Sequence, residues 1–348
     1  MADLHIKNHF VPECYLKRWE DSDKKLCVYR TLVSHKNVLI WKKSSVSAVA
    51  YHIHLYTQMI SGDESDELEK WLDKEYESPA NIVLQKAVLE KRLTPDDWSI
   101  LIRFLAAQDV RTPTRLFEHL KRYNKMFPEI LQDSLSKLEE KIKKKEIGNY
   151  SGPKTLDSKY AQVPLKITTK AIPGKKFGVL KAESYAGRST WIYSIKYLLK
   201  NTEKILHTHK WTIVKPAKGY NWFTSDNPVI KLNYTDLNSY DLKGGWGKNK
   251  GNIIFPIGPE HAMFVQIGDK PMPKGTRLSV SQTKFLKKII AENSNRMIFS
   301  NYYDHEIQSM RQRDIDSIRY RDEKKAIEEW HEKNAKLEME YSKNNKNA

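Results

Sequence analysis

The sequence predicts an α+β fold with a mainly helical N-terminal half, an antiparallel β-rich C-terminal half and a long C-terminal helix. Apolar residues recur at helical spacing through much of residues 63–146. Short apolar runs bounded by turn residues dominate residues 211–300. Because helices and strands are segregated along the chain instead of alternating, an α+β arrangement is favoured over βαβ units.

Helix start and stop signals divide the N-terminal half. Thr94 followed by Pro95 and two acidic residues predicts a helix over residues 95–110, with Thr94 as the N-cap. Pro79 interrupts or restarts an earlier helix, because the residue before a proline disfavours the α conformation. The other elements predicted in this half are helices at 63–78, 80–90, 114–125 and 128–146 and short strands at 26–32 and 37–41.

A stretch rich in Gly, Ser and Pro at residues 147–153 predicts a boundary between regions. Beyond it the pattern predicts helices at 182–206 and 279–295, and strands at 211–215, 221–224, 229–233, 251–256, 263–267 and 296–300. We therefore divide the chain into a mainly helical region (1–148), a basic α+β region (149–303) and a charged C-terminal helix (304–348).

The C-terminal segment 304–343 contains too few apolar residues to form a full apolar face. We expect it to dock on the body of the protein, on a protein partner or on a second copy of the chain. Its apolar anchors are Ile307, Met310, Ile315, Ile318, Ile327, Trp330 and Leu337.

Composition restricts the class of protein. Cys14 and Cys27 are the only cysteines, too few for a disulfide framework or a cysteine-based zinc site. The sequence has no signal-peptide pattern and no apolar run of membrane-spanning length, so we expect a cytoplasmic protein without a membrane partner. Phosphate-binding loop, dinucleotide-binding, zinc-protease and serine-hydrolase motifs are also absent from the sequence.

The chain is strongly basic, with a formal net charge of +17, and the charge is unevenly distributed. Residues 151–220 hold 14 Lys and Arg against three acidic residues, whereas the last 48 residues hold 10 against 11. A cluster of one sign attracts polyanions, so nucleic acid is the predicted partner. The alternative is a solvated basic surface that favours solubility.

The predicted helix around residues 185–206 is the candidate nucleic-acid interface. Three lysines recur at every fourth position and would share one helical face. Two tyrosines lie beside that face, where their rings could stack on bases. In the alternative interpretation the tyrosines complete the core and the lysines are solvated. The residues predicted to bind nucleic acid are Arg188, Tyr193, Lys196, Tyr197, Lys200 and Lys204.

Six segments carry recognisable patterns in a fixed order. They are residues 8–19 (Asn-His-Phe-Val-Pro-x-x-Tyr-Leu-x-x-Trp), 48–57, 72–84, 104–113 (ending Gln-x-x-Arg-Thr-Pro), 223–229 (Phe-Thr-Ser-Asp-Asn-Pro-Val) and 255–259. Together they resemble the uncharacterised bacterial domain-of-unknown-function family 4238. The chain departs from the pattern at Asn8, where His or Gln is expected. The resemblance implies no established reaction, and it suggests a role as a toxin or an antiviral (phage-defence) effector.

These segments contain the predicted catalytic residues His9, Glu77, Gln108, Arg111 and Asp226. In a phosphodiesterase, His9 would act as general base or acid and Arg111 would bind a phosphate. Glu77 and Asp226 would coordinate Mg²⁺ or Mn²⁺ or orient His9. In the structural alternative, Asp226 builds a turn and Arg111 pairs with Glu77 as a buried strut.

The predicted function is therefore that of a nuclease acting on RNA or DNA. One alternative is a non-catalytic nucleic-acid-binding or regulatory protein that uses helix 185–206. Another is a protein-interaction module that works through the C-terminal helix. The pairs His52/His54 and His207/His209 could each hold a metal, but two ligands without neighbouring cysteines or acids are a weak signal.

Overall fold

In the computed structural model of the chain, which describes residues 4–60, 62–144, 165–175 and 178–346, helices account for 45% and strands for 22% of the residues. The mixed α and β class and the C-terminal helix are as predicted. The division into a helical half and a β-rich half is only partly matched, because seven strands lie within the first 65 residues.

The N-terminal segment is built from short strands joined by turns. The strand predicted at 37–41 lies further along the chain, because residues 35–38 close a turn through a hydrogen bond from Val38 N to His35 O. The elements are β1 (Lys7–His9), α1 (Glu13–Leu16), β2 (Leu26–Arg30), β3 (Leu32–Val33), β4 (Trp41–Ser44), β5 (Tyr51–Ile53), β6 (Gln58–Ile60) and β7 (Asp63–Ser65).

Helices come next along the chain. The first begins later than predicted, because residues 63–65 form β7, and the expected interruption at Pro79 is wrong, because Ser78 keeps the α conformation. The helices are α2 (Glu67–Leu72), a π-helical turn (Asp73–Glu77), α3 (Ser78–Val88), α4 (Pro95–Val110) and α5 (Pro113–Lys143). Thr94 accepts a hydrogen bond from Asp97 N, and the Asp97 carboxylate accepts one from Thr94 N, so the predicted N-cap is confirmed. The two helices predicted at 114–125 and 128–146 are one helix, since Pro128 lies inside α5 and removes a single N–H donor.

The predicted boundary at residues 147–153 lies outside the described residues, and the chain resumes as a hairpin of β8 (Leu165–Ala171) and β9 (Gly178–Ser184). The prediction of a long helix at 182–206 is wrong for its first residues, because residues 182–184 belong to β9. The rest of that segment consists of α6 (Arg188–Tyr197), a π-helical turn (Leu198–Thr202) and a 3₁₀ segment (Glu203–Thr208).

The C-terminal half contains antiparallel strands together with several helices, so its predicted β-rich character is only partly matched. A five-stranded sheet has the order β10-β15-β14-β12-β13, and a four-stranded sheet has the order β11-β16-β2-β4. The predicted strand at 221–224 is reduced to the two residues of β11. The elements are β10 (Thr212–Val214), β11 (Thr224–Ser225), β12 (Ile230–Asp236), β13 (Ser239–Asp241), β14 (Asn252–Gly258), β15 (His261–Gln266), α7 (Val280–Asn293) and β16 (Met297–Ser300).

One apolar core joins the helical region to the sheets. The ring of Tyr15 stacks on Phe255 with a centroid distance of 5.2 Å, and its hydroxyl lies 2.7 Å from both Thr224 Oγ1 and Pro256 O. Leu101 and Trp191 belong to the same buried cluster. The predicted regions 1–148 and 149–303 therefore share a core, although the boundary between them remains a prediction.

The C-terminal segment is not one continuous helix. It contains α8 (Ile307–Met310), β17 (Asp314–Ile315), α9 (Ser317–Glu328) and α10 (Trp330–Lys346), and β17 pairs in parallel with β3. Of the predicted anchors, Ile307 is buried, whereas Ile315 and Ile318 are exposed. Because α10 lacks a full apolar face, polar contacts hold it against the body of the protein.

The strongest of these contacts is a buried ion pair between Arg188 and Glu338. Arg188 Nε lies 3.0 Å from Glu338 Oε1, and Nη2 lies 2.6 Å from Oε2, with side chains 0% and 3% exposed. The Arg188 backbone N–H also donates to Asn334 Oδ1. This corrects the prediction that Arg188 binds nucleic acid, because its guanidinium is enclosed and bonded to α10.

Removing one partner of this pair leaves the other charge buried and unpaired. We expect Glu338→Ala to lower the free energy of unfolding by about 3–5 kcal/mol, measured by urea denaturation. The control is Glu340→Ala on the exposed side of α10, which should change it by no more than about 0.5 kcal/mol. Equal midpoints for the two variants would contradict this role of Glu338.

Candidate functional site

Four of the five predicted catalytic residues meet around the side chain of Arg111, at the C-terminal end of α4. Arg111 is 1% exposed. Its Nη1 donates to Glu77 Oε1 and its Nη2 to the backbone carbonyl of His9, both at 2.5 Å. One turn earlier on α4, Gln108 Nε2 donates to the carbonyl of Phe10 at 2.8 Å. These hydrogen bonds connect the C-terminal end of α4 with the end of β1 and with the π-helical turn Asp73–Glu77.

Two residues that the sequence did not single out complete this cluster. Glu69 Oε2 lies 3.8 Å from Arg111 Nη2, and burial raises the pKa of Glu69 to about 7, with Arg111 opposing and Glu77 reinforcing that shift. The Tyr56 hydroxyl donates to the Arg111 carbonyl at 2.7 Å. Burial disfavours the charge of Arg111, yet Glu77, Tyr56 and Glu69 outweigh burial and raise the pKa of the guanidinium.

His9 takes part in the Arg111 cluster through its backbone carbonyl and not through its imidazole ring. The His9 ring is mostly buried, and its Nε2 lies 3.5 Å from Glu13 Oε1 without a hydrogen bond to any described residue. Burial lowers the pKa of His9, which Glu13 partly counters. Since the carbonyl of His9, and not its imidazole, contacts Arg111, the structure favours the strut over a general base that works with Arg111.

Asp226 has a different set of partners. Its carboxylate accepts hydrogen bonds from the backbone N–H groups of Asn295, Arg296 and Met297, at 2.8, 2.6 and 3.0 Å. Burial raises the pKa of Asp226 to about 6, and these three donors oppose that rise. Asp226 therefore organises the loop between α7 and β16. A metal shared with Glu77 is disfavoured, because both carboxylates are already bonded elsewhere.

The predicted nucleic-acid-binding helix is largely occupied by contacts within the chain. Lys196 forms an ion pair with Glu67 at 3.0 Å, and Lys200 lies 5.6 Å from the ring of Trp71. Because the π-helical turn at 198–202 breaks the α-helical period, Lys204 does not continue the same row. Tyr193 and Tyr197 line a small cavity together with Phe127 of α5, although Tyr197 is 52% exposed.

A polar cavity of about 680 Å³ lies between α1, α3 and the loop that precedes β15. Three of its lining residues, Arg18, His261 and Asn301, each hold a buried polar atom that has no hydrogen-bond partner within the described part of the chain: Nε, Nε2 and Oδ1. Unsatisfied buried polar atoms also occur elsewhere in the described chain, for example Arg111 Nε and Gln108 Oε1, but here three of them lie on residues that line one cavity. Lys17 and Gln85 also line this cavity.

Glu90, a lining residue of this cavity, contacts both Lys215 and His261. Its backbone has φ +56°, in the left-handed region that follows a helix end and is usually taken by glycine. The Glu90 carboxylate bonds Lys215 Nζ and lies 3.4 Å from His261 Nε2. Burial lowers the pKa of His261, which Glu90 partly counters, so His261 is mainly neutral at pH 7. A strained backbone that positions a carboxylate beside a histidine is typical of functional sites.

The thiol of Cys14 borders the same cavity but is a poor nucleophile. Burial raises the pKa of Cys14 to about 11, and the carboxylate of Glu77 reinforces the rise. Since the thiolate is the reactive form, cysteine-based covalent catalysis at neutral pH is disfavoured here.

Within the described ranges, one group of three His, Cys, Asp or Glu side chains has its donor atoms within 4.8 Å of one another: His54, Glu64 and His331. The two imidazoles stack at 4.0 Å with an interplanar angle of 21°. Nearly parallel rings cannot both direct a lone pair at one ion about 2.0–2.1 Å away. Arg188 Nη1, 2.9 Å from His331 Nδ1, adds a positive charge. The geometry therefore disfavours a metal centre.

The sequence offered little signal for the polar cavity. Arg18 belongs to no polar pattern, and His261 comes after a turn whose sequence is ordinary for a hairpin. The unusual feature is conformational, since a glutamate occupies the left-handed position after α3. That position lies just past a helix end that the sequence predicted at about residue 90.

Comparison with known proteins places the chain in a family without assigning it a reaction. The family model described as "Protein of unknown function (DUF4238)" matches residues 7–304. The chain therefore belongs to this family, as the resemblance implied. No curated protein and no solved structure matches the chain. None of the helices in the described part of the chain is long and apolar enough to cross a membrane.

The strut and the catalytic interpretations of Arg111 predict different results for Arg111→Ala. Because the residue is enclosed with Glu77 and Glu69, we expect the free energy of unfolding to fall by about 3–5 kcal/mol. Arg122→Ala, on an exposed position of α5, is the control and should change it by no more than about 0.5 kcal/mol. A variant with an unchanged melting temperature that loses activity would restore the catalytic interpretation.

Proposed function

We propose that this member of the family is a nucleic-acid-acting protein, a nuclease that cleaves phosphodiester bonds in the polar cavity lined by Arg18 and His261. The observation that carries the proposal is the set of three unpaired buried polar atoms on residues lining one cavity. The net charge of +17 favours a polyanionic substrate over a neutral one.

Arg18 is the candidate phosphate ligand. Its Nη1 and Nη2 make only long hydrogen bonds, to Gln85 Oε1 at 3.3 Å and to Asn81 O at 3.2 Å, and its Nε has no partner among the described residues. A guanidinium so weakly bonded can exchange these partners for two phosphate oxygens, which match its planar geometry. Lys17, exposed at the same cavity, adds a second positive charge.

His261 is the candidate general base. A neutral imidazole can take the proton of an attacking oxygen, either water or a ribose 2′-hydroxyl. As that oxygen bonds to phosphorus, the bond from phosphorus to the leaving oxygen breaks. The leaving oxygen takes up a proton from the imidazolium or from water, and Arg18 stabilises the charge on the phosphoryl oxygens. Glu90 is placed to stabilise the imidazolium, at 3.4 Å from His261 Nε2.

A second candidate function, nucleic-acid binding without cleavage, is favoured by the hairpin of β8 and β9. This two-stranded ribbon carries Lys166, Lys170, Lys175 and Lys181 against the single acid Glu183. Lys170 and Lys181 are exposed. Basic β-ribbons can enter a groove of duplex nucleic acid. The hairpin therefore presents basic charge as α6 does, although Lys181 pairs with Glu183 at 2.7 Å just as Lys196 pairs with Glu67.

The nuclease proposal predicts that His261→Gln slows cleavage by roughly 10²–10⁴ while the melting temperature stays near normal, because glutamine can hydrogen-bond but cannot accept a proton. Purified protein would be incubated with total RNA and with plasmid DNA, in Mg²⁺, Mn²⁺ or EDTA. Since the pKa of His261 is lowered, the wild-type rate should fall only below the ordinary histidine value of about 6.5.

Two further variants sharpen this experiment. Arg18→Gln should lose cleavage as well, whereas His207→Gln, an exposed histidine that does not line the cavity, should keep it. Cleavage by His261→Gln at the rate of His207→Gln would refute the assignment of the base. Absence of cleavage by the wild type under every condition would leave binding by the hairpin as the surviving function.

The binding candidate predicts that Lys170→Glu with Lys181→Glu weakens association with RNA and DNA of any sequence. Each phosphate contact contributes about 0.7–0.9 to the slope of log K against log salt, so the slope should decrease by roughly one to two. Fluorescence anisotropy across a salt series measures both quantities. Lys196→Glu with Lys200→Glu is the comparison, and an equal or larger loss in that pair would favour α6 as the interface.

A further inference from the structure

A larger cavity, of about 780 Å³, lies between the C-terminal helices and the body of the protein. The roof comes from α9 and α10, through residues such as Ala326, Ile327 and Trp330, and the floor includes Phe10 and Pro113. The floor residues belong to the family-matched part of the chain, whereas both roof helices lie beyond residue 304. The walls are predominantly apolar.

The charged residues at this cavity are almost all neutralised within the chain. Arg296 donates from Nε and Nη2 to the two carboxylate oxygens of Glu323, and Lys333 pairs with Glu329 at 2.7 Å. The carboxylate of Asp226 holds three backbone N–H groups. Asp322 is exposed to solvent at the rim. Because the interior presents no unpaired charge among the described residues, it matches a neutral ligand better than an ion.

Two polar side chains of the lining, those of His52 and Asn295, make no hydrogen bond within the described part of the chain. The imidazole of His52 lines the cavity and makes no hydrogen bond to the residues that the structure describes. Burial lowers the pKa of His52 to about 4, so the ring is neutral at pH 7 and offers one donor and one acceptor. The rings of Phe10, Phe117 and Trp330 line the same cavity.

We propose that this cavity is a binding site for a neutral small molecule with an aromatic body and one hydrogen-bonding group. The volume falls within the roughly 300–1,000 Å³ typical of small-molecule sites, which are mostly apolar with few polar groups. Aromatic walls favour a planar ring through stacked or edge-on contacts. His52 supplies the polar contact. This inference does not rest on the nuclease proposal.

The packing of α9 supports an occupant between this helix and the floor. None of the residues of α9 is buried, although the helix spans the cavity and carries apolar side chains such as Ile327. Amphipathic helices are stabilised mainly by packing of their apolar face. A ligand in the cavity would give α9 an apolar surface to pack against, while α10 stays fixed by Arg188 and Glu338.

The test uses N-phenyl-1-naphthylamine, a neutral aromatic probe with one N–H group whose fluorescence rises in apolar surroundings. Titration into the full chain should give a saturable increase with one site per molecule. Ala326→Phe, which adds a ring to the roof, should weaken binding by at least about tenfold. The matched control is Lys325→Phe, which adds the same ring at the neighbouring position of α9, where the side chain does not line the cavity.

Ala186→Phe adds a ring at a lining residue outside α9 and α10 and should also weaken binding. With two cavity-filling variants, the test still works if one of them fails to fold. Melting temperatures of all variants are measured alongside. Equal affinity of the wild type and a folded cavity-filling variant would overturn the proposal, as would a wild-type titration that does not saturate. The readout is independent of cleavage, so its failure and that of the nuclease proposal can be told apart.

Discussion

A buried guanidinium that must be neutralised determines the arrangement of this protein's centre. Arg111 has no access to solvent, so its charge is tolerated only because Glu77 and the carbonyl of His9 are held against it. The neighbours of these groups along the chain build the two large cavities. Phe10 and Pro113 line the apolar one, and Cys14, four residues after Phe10 in the chain, lines the polar one. The strut therefore supports both candidate sites without belonging to either.

The parts of the fold that depend on local chemistry could be predicted from the sequence. The N-cap at Thr94 depends on residues three apart, and the strands of the C-terminal sheet arise from short apolar runs between turns. The helix over Pro128 was missed because one lost hydrogen bond does not stop a helix of 31 residues. The hairpin of β8 and β9 was also missed, although residues 165–168 and 180–183 alternate apolar and polar side chains, because the end of β9 was assigned to the helix predicted at 182–206.

The candidate sites, like the fold, have features that could be predicted from the sequence and features that could not. Sequence patterns grouped His9, Glu77, Gln108 and Arg111 as one set, and the structure places them together. The patterns could not show which atom of His9 contacts Arg111, and that detail separates a strut from a catalytic pair. The cavities arise from segments far apart in the chain, and Glu90 becomes unusual only through its backbone conformation. Long-range packing of this kind leaves no periodicity in the sequence.

The pairing of β2 with β16 has a consequence for how the protein folds. Met297–Ser300 complete a sheet whose other central strand is Leu26–Arg30, so two strands about 270 residues apart in the sequence must meet before the sheet closes. Until then one edge of β2 exposes unpaired N–H and C=O groups, a common starting point for association between chains. Contacts between residues so distant in sequence also form slowly. The four-stranded sheet is therefore expected to close late in folding, after the local hairpins and helices have formed.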